Sequence, residues 1–487
     1  MIRIDGTRDL VQSERYALTL LVDLARAIEI DDPRADVVAL RVADDMRADD
    51  LCDARWSPAI ADGSVTLSRA ALASVVAIAG AGDEQRAMRV DRFGRVPPSE
   101  NPLVKRGLER EPVVSRAAGE LRRAIAAAAG RRAVRFTAPW PDGKRWAAAF
   151  THDLDVVSWW PLFTALRVAE LARKREGRRV ALVLAAAAAS VARSPVRRAA
   201  ASLLALEARL GITSTWFVLC GTPTMRSFRR GDLTYRPDGA ARDIVREVRN
   251  GGHEIGLHGS FDTMDVDGTF ARQRGCLATL GALAVGGVRQ HFVRMRPGIT
   301  HRAMREAGFT YDASYVFPDR NGFRLGVADV VAGWDDAAAA PSGIEEVPAT
   351  WMDRALSKYR GVEDPVAWGD DAIALADACR AVEGCWVGIW HPNLDAALGF
   401  PDAPEALARA MTVLIERDPF VASLETIVNW RQARRGVRAR AIGADGVVDA
   451  YASSSTPFAI ALEDGTGRRA EAVRAAVRAI ETGHDTT

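Results

Sequence analysis

Between residues 145 and 431, short apolar runs typical of buried strands alternate with longer stretches of helix-forming sequence. The predicted strands are residues 146–150, 213–219, 253–258, 290–295, 346–351 and 385–390. The sequence between them is helical in character, with an insertion that ends at Leu210 and helices over 243–248 and 269–284. Alternation of this kind produces a parallel sheet with helices outside it. The pattern therefore predicts an α/β fold, and we expect a distorted (β/α) barrel rather than an open sheet.

The flanking segments have other patterns and predict smaller units. Residues 1–100 combine a helical opening with short strand-like pieces and contain no histidine, which predicts an accessory α/β module. Residues 101–144 are rich in alanine and arginine and predict a helical linker before the barrel at 145–431. Residues 432–487 carry turn signals between short β-like runs, which predicts a small β-rich module with a terminal helix near 470–480.

Composition and charge exclude several classes of protein. Hydrophobic residues make up 48% of the chain and charged residues 26%, and the net charge of +2 gives no reason to expect nucleic acid as a partner. The most apolar run, residues 180–192, is too short to span a bilayer, so we expect a packed helix and no membrane span. The N-terminus lacks a secretory signal pattern, and we expect a cytoplasmic protein.

The cysteines give a second indication of the compartment. The five cysteines form an odd set with no C-x-x-C pair, which argues against a disulfide framework and against a thiolate zinc site. A reducing compartment fits this pattern best.

Candidate chemistry is concentrated at the ends of the predicted strands. Six of the seven histidines lie between residues 152 and 391. The strand at 146–150 runs directly into Asp153 and Asp155, which share a face of an extended backbone. Alone, this pair is most often a surface loop, but at the carboxyl end of a barrel strand it indicates catalysis. His253 and His258 lie in the predicted strand at 253–258, on opposite faces of it, and His258 is the better ligand candidate.

A further carboxylate, Asp262, lies four residues after His258. If the chain turns helical after Gly259, Asp262 shares a face with His258 and supplies an additional oxygen ligand. The alternative is a carboxylate that caps a turn, which is about equally well supported.

These motifs together resemble the polysaccharide-deacetylase family of carbohydrate esterases, the NodB-homology type, over roughly residues 145–430. The resemblance implies that Asp153 is the general base and Asp155 a metal ligand. The segment Arg294-Met295-Arg296-Pro297-Gly298 is similar to the family's arginine motif. It implies that Arg294 orients the base, with Arg296 as the alternative. His391, after the strand at 385–390, matches the family's general acid.

The resemblance also implies a divalent metal. Gly252-His253-Glu254-Ile255-Gly256 and His258 reproduce the start of the family's metal motif, but Asp262 stands where the family has a second histidine. The expected ligands are therefore Asp155, His258 and Asp262. Zinc is the first choice, with manganese, iron or cobalt as alternatives. If Asp262 only caps a turn, water is the third ligand.

The implied activity is hydrolysis of an N-acetyl, or alternatively O-acetyl, group from a sugar or oligosaccharide in bacterial polysaccharide metabolism. Segments 287–291, 311–314 and 321–324 resemble a bacterial subgroup associated with surface-polysaccharide synthesis. Asp312 is a loose candidate for holding the imidazole of His391. Substrate-binding residues and oligomeric state remain unassigned, although four tryptophans are candidate sugar platforms: Trp159, Trp160, Trp351 and Trp390.

Two other functions fit the same sequence. One is a degenerate deacetylase that binds a glycan or scaffolds a biosynthetic complex without turnover, since a missing metal histidine is the change expected in such a protein. The other is a metal-dependent amidohydrolase that acts on an amide outside sugars.

Overall fold

A computed structural model describes residues 1–6, 9–44, 50–61, 63–130, 132, 134–190, 194–236, 238–282, 284–442, 448–452 and 458–473. Its helices are α1 (Gln12–Leu24), α2 (Arg69–Ile78), α3 (Gly82–Arg86), α4 (Pro102–Arg106), α5 (Val113–Ala129), α6 (Trp160–Arg173), α7 (Gly177–Ala188), α8 (Pro195–Leu210), α9 (Met225–Arg229), α10 (Gly239–Asn250), α11 (Thr269–Thr279), α12 (Ile299–Glu306), α13 (Pro365–Ala381), α14 (Ala403–Glu416) and α15 (Leu424–Arg435). A π-helical turn spans Ala355–Arg360.

The strands fall into three sheets. They are β1 (Ile2–Ile4), β2 (Glu29–Ile30), β3 (Val38–Ala43), β4 (Ala59–Ala61), β5 (Ser64–Ser68), β6 (Phe136–Thr137), β7 (Ala147–Leu154), β8 (Thr215–Val218), β9 (Glu254–Gly259), β10 (Gly287–Gln290), β11 (Tyr311–Asp312), β12 (Val331–Asp335), β13 (Ala340–Glu346), β14 (Trp351–Met352), β15 (Cys385–Trp390), β16 (Phe420–Val421), β17 (Val437–Ile442), β18 (Val448–Ala452), β19 (Ile460–Glu463) and β20 (Arg469–Val473).

The largest sheet positions the candidate site. Its strand order is β12-β13-β11-β10-β9-β8-β7-β15-β14, with β16 also paired to β7. Every pairing is parallel except β12 with β13. All eight residues of β7 are buried, as expected for a parallel strand covered on both faces. The fold is therefore mixed α/β with a mainly parallel sheet, and the carboxyl ends of β7 to β10 and β15 lie along one edge.

Strands from the two ends of the chain form a second sheet, with the order β18-β17-β2-β1-β3-β5-β4. In it, β17 pairs in parallel with the two-residue strand β2. A third, smaller sheet joins β20 and β19 to β6, which lies in the predicted linker. The sequence predicted a separate module at 432–487, whereas these strands complete sheets begun by residues 1–144. An exposed edge such as that of β2 is a site for further pairing, and β17 covers it.

Most predicted elements of the central region are present. Strands β8 and β15 lie within the predicted segments, and β9 extends one residue beyond its own. The strand predicted at 346–351 is wrong, because β13 ends at Glu346 and β14 begins only at Trp351. The strand predicted at 290–295 is displaced, because β10 ends at Gln290 and the chain then turns through Phe292 and Val293, both with positive φ. The helix predicted at the end of the chain begins instead as β20, and residues 474–480 of that prediction lie outside the described residues.

The apolar run at 180–192 falls largely in α7, where Val183 is the buried residue. Among the described residues, no helix is both long and apolar enough to cross a membrane.

The structure contains one disulfide among its described residues, although the cysteine pattern argued against a disulfide framework. Cys220, after β8, is bonded to Cys276 on α11, with a Cα–Cα distance of 6.4 Å. The other three cysteines are free and buried. The bonded pair is 56 residues apart in the chain, and only the packing of α11 near the end of β8 brings it together. The inference of a reducing compartment therefore loses its basis, and the cytoplasmic location stays a prediction.

Candidate metal and catalytic centre

Five side chains converge where parallel strands end. Asp153 and Asp155 lie at the end of β7 and just beyond it, and His258 lies in β9. His291 directly follows β10, and His391 directly follows β15. Because these strands are parallel members of one sheet, their carboxyl ends carry all five residues to the same edge.

Asp155, His258 and His291 form a group that could hold a metal ion. Their ligand atoms all lie within 4.8 Å of one another. His258 Nε2 is 3.1 Å from Asp155 Oδ1, and His291 Nε2 is 3.8 Å from Asp155 Oδ2. Asp155 Oδ1 is buried and has no hydrogen-bond partner among the described residues. A buried carboxylate oxygen in this position is an open ligand atom.

The second nitrogen of each ligand histidine is already held. His258 Nδ1 is 2.9 Å from the carbonyl oxygen of Arg289, which can only accept, so this nitrogen carries the proton. His291 Nδ1 is 2.7 Å from Asp232 Oδ1. Partners of this kind fix the tautomer that leaves Nε2 unprotonated and turned toward a metal. The donor set of one carboxylate and two imidazoles therefore fits a divalent cation such as zinc.

Asp153 is held by Arg289 rather than by a metal histidine. Arg289 Nη1 donates to Asp153 Oδ1 at 2.8 Å and also to Thr151 Oγ1 at 2.8 Å. Burial acts to raise the pKa of Asp153, but the charge of Arg289, followed by those of His258 and His391, lowers it below its ordinary value. The carboxylate is therefore ionised and able to accept a proton.

His391 lies across from Asp153 and is fixed by Asp353. His391 Nδ1 is 2.7 Å from Asp353 Oδ1, and the His391 backbone N–H donates to Asp353 Oδ2 at 2.6 Å. His391 Nε2 is 3.6 Å from Asp155 Oδ2 and 3.9 Å from Asp153 Oδ2. Burial alone would lower the pKa of His391, but the charge of Asp353 and then those of the other two carboxylates raise it. The protonated, proton-donating form is favoured.

A second buried cluster, His301, Asp312 and Glu346, has a different character. His301 Nε2 is 3.1 Å from Glu346 Oε1 and 3.9 Å from Asp312 Oδ2. However, His301 Nδ1 accepts a hydrogen bond from the backbone N–H of Gly298 at 3.3 Å, so the proton lies on Nε2. This tautomer leaves no lone pair for a metal. Asp312 therefore belongs to this cluster, and Asp353 instead holds the imidazole of His391, contrary to the prediction from the sequence.

Two other predicted site residues lie elsewhere. Asp262 pairs with Arg230, Oδ1 to Nη1, at 2.6 Å, and it is not part of the metal-type group. The chain does turn helical after Ser260, as required, but that turn points the carboxylate at arginines of the α9 region. Arg294 donates to Asp265 Oδ2 at 2.6 Å and to two backbone carbonyls, and it does not contact Asp153. Arg296, the alternative, is exposed.

Sequence reasoning assigned no role to His291, Arg289, Asp353 or Asp232. Two of them carried a usable signal, since His291 and Asp353 each come directly after a strand, as the recognised residues do. The displaced prediction for β10 concealed this for His291. Asp232 lies in a loop and, among the described residues, contacts the site through His291, so no pattern in the sequence indicated it.

The five side chains open into a cavity of about 310 Å³. Much of its wall is apolar, with Phe163, Phe292, Met352 and Ile389 among the lining residues. Arg95, from the N-terminal segment, also lines it. None of the four tryptophans proposed as sugar platforms is among the lining residues, and Trp351 and Trp390 are buried in the core.

No protein-family model matches this chain, and no curated protein matches it. Solved structures that resemble it include a putative polysaccharide deacetylase from Mycobacterium smegmatis, 22% identical over 61% of this chain and 93% of that one, with a TM-score of 0.40. Another is a putative polysaccharide deacetylase involved in O-antigen biosynthesis from Bordetella bronchiseptica, 17% identical over 59% and 90%, with a TM-score of 0.27.

Proposed function

We propose that this protein is a metal-dependent deacetylase that hydrolyses an N-acetyl, or alternatively O-acetyl, group from a sugar. The observation that carries the proposal is the tautomer-fixed group Asp155, His258 and His291, flanked by Asp153 on Arg289 and His391 on Asp353. A metal-type donor set between a held proton acceptor and a held proton donor supplies the groups for metal-assisted hydrolysis of an amide. The choice of a sugar as the substrate rests on the motif resemblance to polysaccharide deacetylases.

In this proposal, Asp155, His258 and His291 hold the divalent cation, with zinc as the first choice. A cation there would supply Lewis acidity toward the acyl oxygen and toward water. Asp153 accepts the proton of the attacking water, and Arg289 keeps its carboxylate ionised and oriented. His391 donates a proton from Nε2 to the departing nitrogen, while Asp353 holds the imidazole by Nδ1. A positioned acid of this kind contributes roughly two to four orders of magnitude in rate, because an amine leaves poorly without a proton.

The degenerate-protein alternative rested on a missing metal histidine. His291 supplies an imidazole to the group from a different strand, which supports an active enzyme over a scaffold. The non-sugar amidohydrolase shares this site, and substrate comparison separates it from the proposal.

The proposal includes the predicted distorted barrel. The segment between β13 and β14 supports it, because Val347 N–H donates to Asp312 O on β11 at 2.8 Å and Thr350 N–H donates to Val387 O on β15 at 2.9 Å. This segment thereby connects the β11 side of the sheet to the β15 side.

Metal titration combined with acetate release tests the proposal. We expect chelator-treated wild type to bind one zinc. His291→Ala should lose zinc affinity by about 100-fold or more, whereas Asp262→Ala should match wild type, because His291 is a proposed ligand and Asp262 is not. Asp153→Asn and His391→Ala should keep the metal but lose acetate release from N-acetylated sugars by about 10²-fold or more. Loss of metal in Asp262→Ala with retention in His291→Ala would contradict the ligand set. Metal binding without acetate release in wild type would favour the degenerate alternative.

A further inference from the structure

Two cationic side chains line the cavity beside the candidate metal group. Arg354 directly precedes the π-helical turn Ala355–Arg360, which follows β14, and Lys358 lies within that turn. Both line the cavity. Residues four apart on a helical turn share a face, so the two charges lie side by side. Short π-helical insertions occur frequently at functional sites.

Other charges at the cavity have partners, but this pair does not. Asp153 pairs with Arg289, and Arg95 pairs with Asp91, Nε to Oδ2, at 2.6 Å. Within the described residues, neither Arg354 nor Lys358 takes part in an ion pair or donates a side-chain hydrogen bond. The carboxylates that act on Arg354 through space are Asp353 and Asp155, and both are engaged already, one by His391 and the other by the metal-type group.

Aromatic rings position the two cations. The Arg354 guanidinium lies over the rings of Phe163, at 6.0 Å, and Phe400, at 5.7 Å. Lys358 Nζ lies 5.9 Å from the ring centre of Phe292. Contacts of this type orient a cation without using its N–H donors. The donors of both side chains therefore remain available to a ligand in the cavity.

The pair lies next to the metal-type group. The Phe292 ring is stacked on the His291 ring, with centroids 3.9 Å apart, so Lys358 and the candidate metal ligand His291 contact the same aromatic side chain. Two adjacent cations repel each other, and desolvation followed by the charge of Arg354 lowers the pKa of Lys358 to about 8. An anion bound between them would relieve that repulsion.

From these contacts we infer that the deacetylase substrate is anionic, with a phosphate or carboxylate group bound by Arg354 and Lys358 while its acetamide lies at Asp155, His258 and His291. This inference rests on the proposed function. A neutral glycan would leave two neighbouring cations at the cavity without a counter-charge, and their mutual repulsion makes this arrangement unfavourable. A phosphate suits the pair best, because a guanidinium binds two of its oxygens and an ammonium a third.

Three sugars that differ mainly in charge test the inference: N-acetylglucosamine 1-phosphate, 2-acetamido-2-deoxyglucuronic acid and methyl N-acetylglucosaminide. Binding is measured by calorimetry on the zinc-loaded full chain carrying Asp153→Asn, which prevents turnover. We expect at least one anionic sugar to bind about tenfold or more tightly than the neutral one, and less tightly as salt rises. Arg354→Gln and Lys358→Gln should each remove most of that preference, by weakening binding of the anionic sugar.

Arg360→Gln is the matched control, because it removes an exposed charge from the same turn outside the cavity lining. A stronger preference for the phosphate or for the uronate identifies the anionic group. Equal binding of charged and neutral sugars, absence of binding by both anionic sugars, or equal losses in Arg360→Gln would overturn the inference.

Acetate release by the wild type from the same three sugars separates the two proposals. Equal kcat/KM for charged and neutral sugars would overturn the anionic substrate and keep the deacetylase. Charge-dependent binding with no acetate from any sugar would overturn the deacetylase and keep the anion site.

Discussion

Arg289 and Arg294 are both buried near the site, yet their partners give them different roles. Arg289 donates to the carboxylate of Asp153, whereas Arg294 donates to Asp265 and to backbone carbonyls of Phe93 and Phe261. The first interaction holds a group that would touch the reacting atoms. The second joins the N-terminal segment to the loop after β9, which is a structural contact.

Replacing each arginine with glutamine should separate these roles. In Arg289→Gln the buried carboxylate of Asp153 loses its main counter-charge, so its pKa rises and the acidic limb of the kcat/KM profile moves to higher pH. Arg294→Gln should lower the melting temperature but leave that limb in place. The pH profiles of acetate release, measured on folded protein, check this.

Arg289→Lys serves as the rescue variant, since it restores a positive charge near Asp153 and should return the limb part of the way. A shift of the acidic limb in Arg294→Gln alone would instead favour the role that the sequence motif implied for Arg294.

Single residues at strand ends were predictable, and their partners were not. Asp153, Asp155, His258 and His391 could be selected because strand ends collect chemistry in β/α folds, and the structure brings these four together. His291 was missed because positive φ at Phe292 ends β10 abruptly, which apolar periodicity does not encode. Asp353 and Asp232 act through tertiary contacts that the sequence alone does not reveal.

At the scale of elements, the cluster of His301 on α12, Asp312 on β11 and Glu346 on β13 holds two carboxyl groups in the core. Burial raises the pKa of Asp312 to about 7, and burial and then the charge of Asp312 raise the pKa of Glu346 well above its ordinary value. Burial also lowers the pKa of His301 to about 4, so the imidazole is neutral and offers no counter-charge. The two carboxyls titrate as one pair that keeps a proton at neutral pH.

This arrangement predicts a dependence of stability on pH. A carboxyl whose folded-state pKa is raised contributes stability that is fully present below its unfolded pKa, about 4, and is lost as pH rises through the folded pKa near 7. Glu346→Gln keeps one partner permanently neutral, so the variant should match wild type near pH 5 and exceed it near pH 8 by about 1 kcal/mol or more. Urea unfolding at both pH values measures the difference.

Glu306→Gln, an exposed change at the end of α12, is the control and should follow wild type at both pH values. Parallel pH slopes for Glu346→Gln and wild type would show that the cluster is not protonated as argued.

Elements were predicted best where one pattern decided them. Strands β8 and β15 were confirmed because each is a mainly apolar run, and β9 was predicted to within one residue because its apolar residues alternate with other residues between flanking glycines. The pairing of the short strands at the chain ends could not be predicted, since two- to six-residue strands carry little register information and their partners lie several hundred residues away. The predicted domain boundaries at 100, 144 and 431 remain predictions.

At the scale of the whole molecule, buried ion pairs join distant parts of the chain. Arg431 on α15 binds Asp329 Oδ1 through Nε at 2.6 Å and Asp23 on α1 through Nη2 at 3.2 Å. Arg26, just after α1, binds Glu463 on β19 at 3.1 Å. Each arginine keeps a second carboxylate when one is removed, Arg26 through Glu383, so one loss costs less than the roughly 3–5 kcal/mol of an uncompensated buried charge. The terminal segments and the central sheet should therefore unfold together.

Truncation of the C-terminal strands tests this cooperativity. A chain ending at Gly436 lacks β17 to β20, so the edge of β2 is unpaired, Arg26 loses Glu463, and the buried side chains of Ile460 and Leu462 are removed. We expect the truncated protein to aggregate or to melt well below the full chain, with an unfolding free energy lower by about 3 kcal/mol or more. Acetate release should also be lost, because the destabilised N-terminal segment carries Arg95, which lines the cavity. A chain ending at Val473 keeps all four strands and is the matched control. If residues 432–487 were an independent module, as the sequence pattern suggested, both truncated proteins would retain the melting temperature and activity of the full chain; equal melting temperatures of the two by calorimetry would therefore contradict a shared fold.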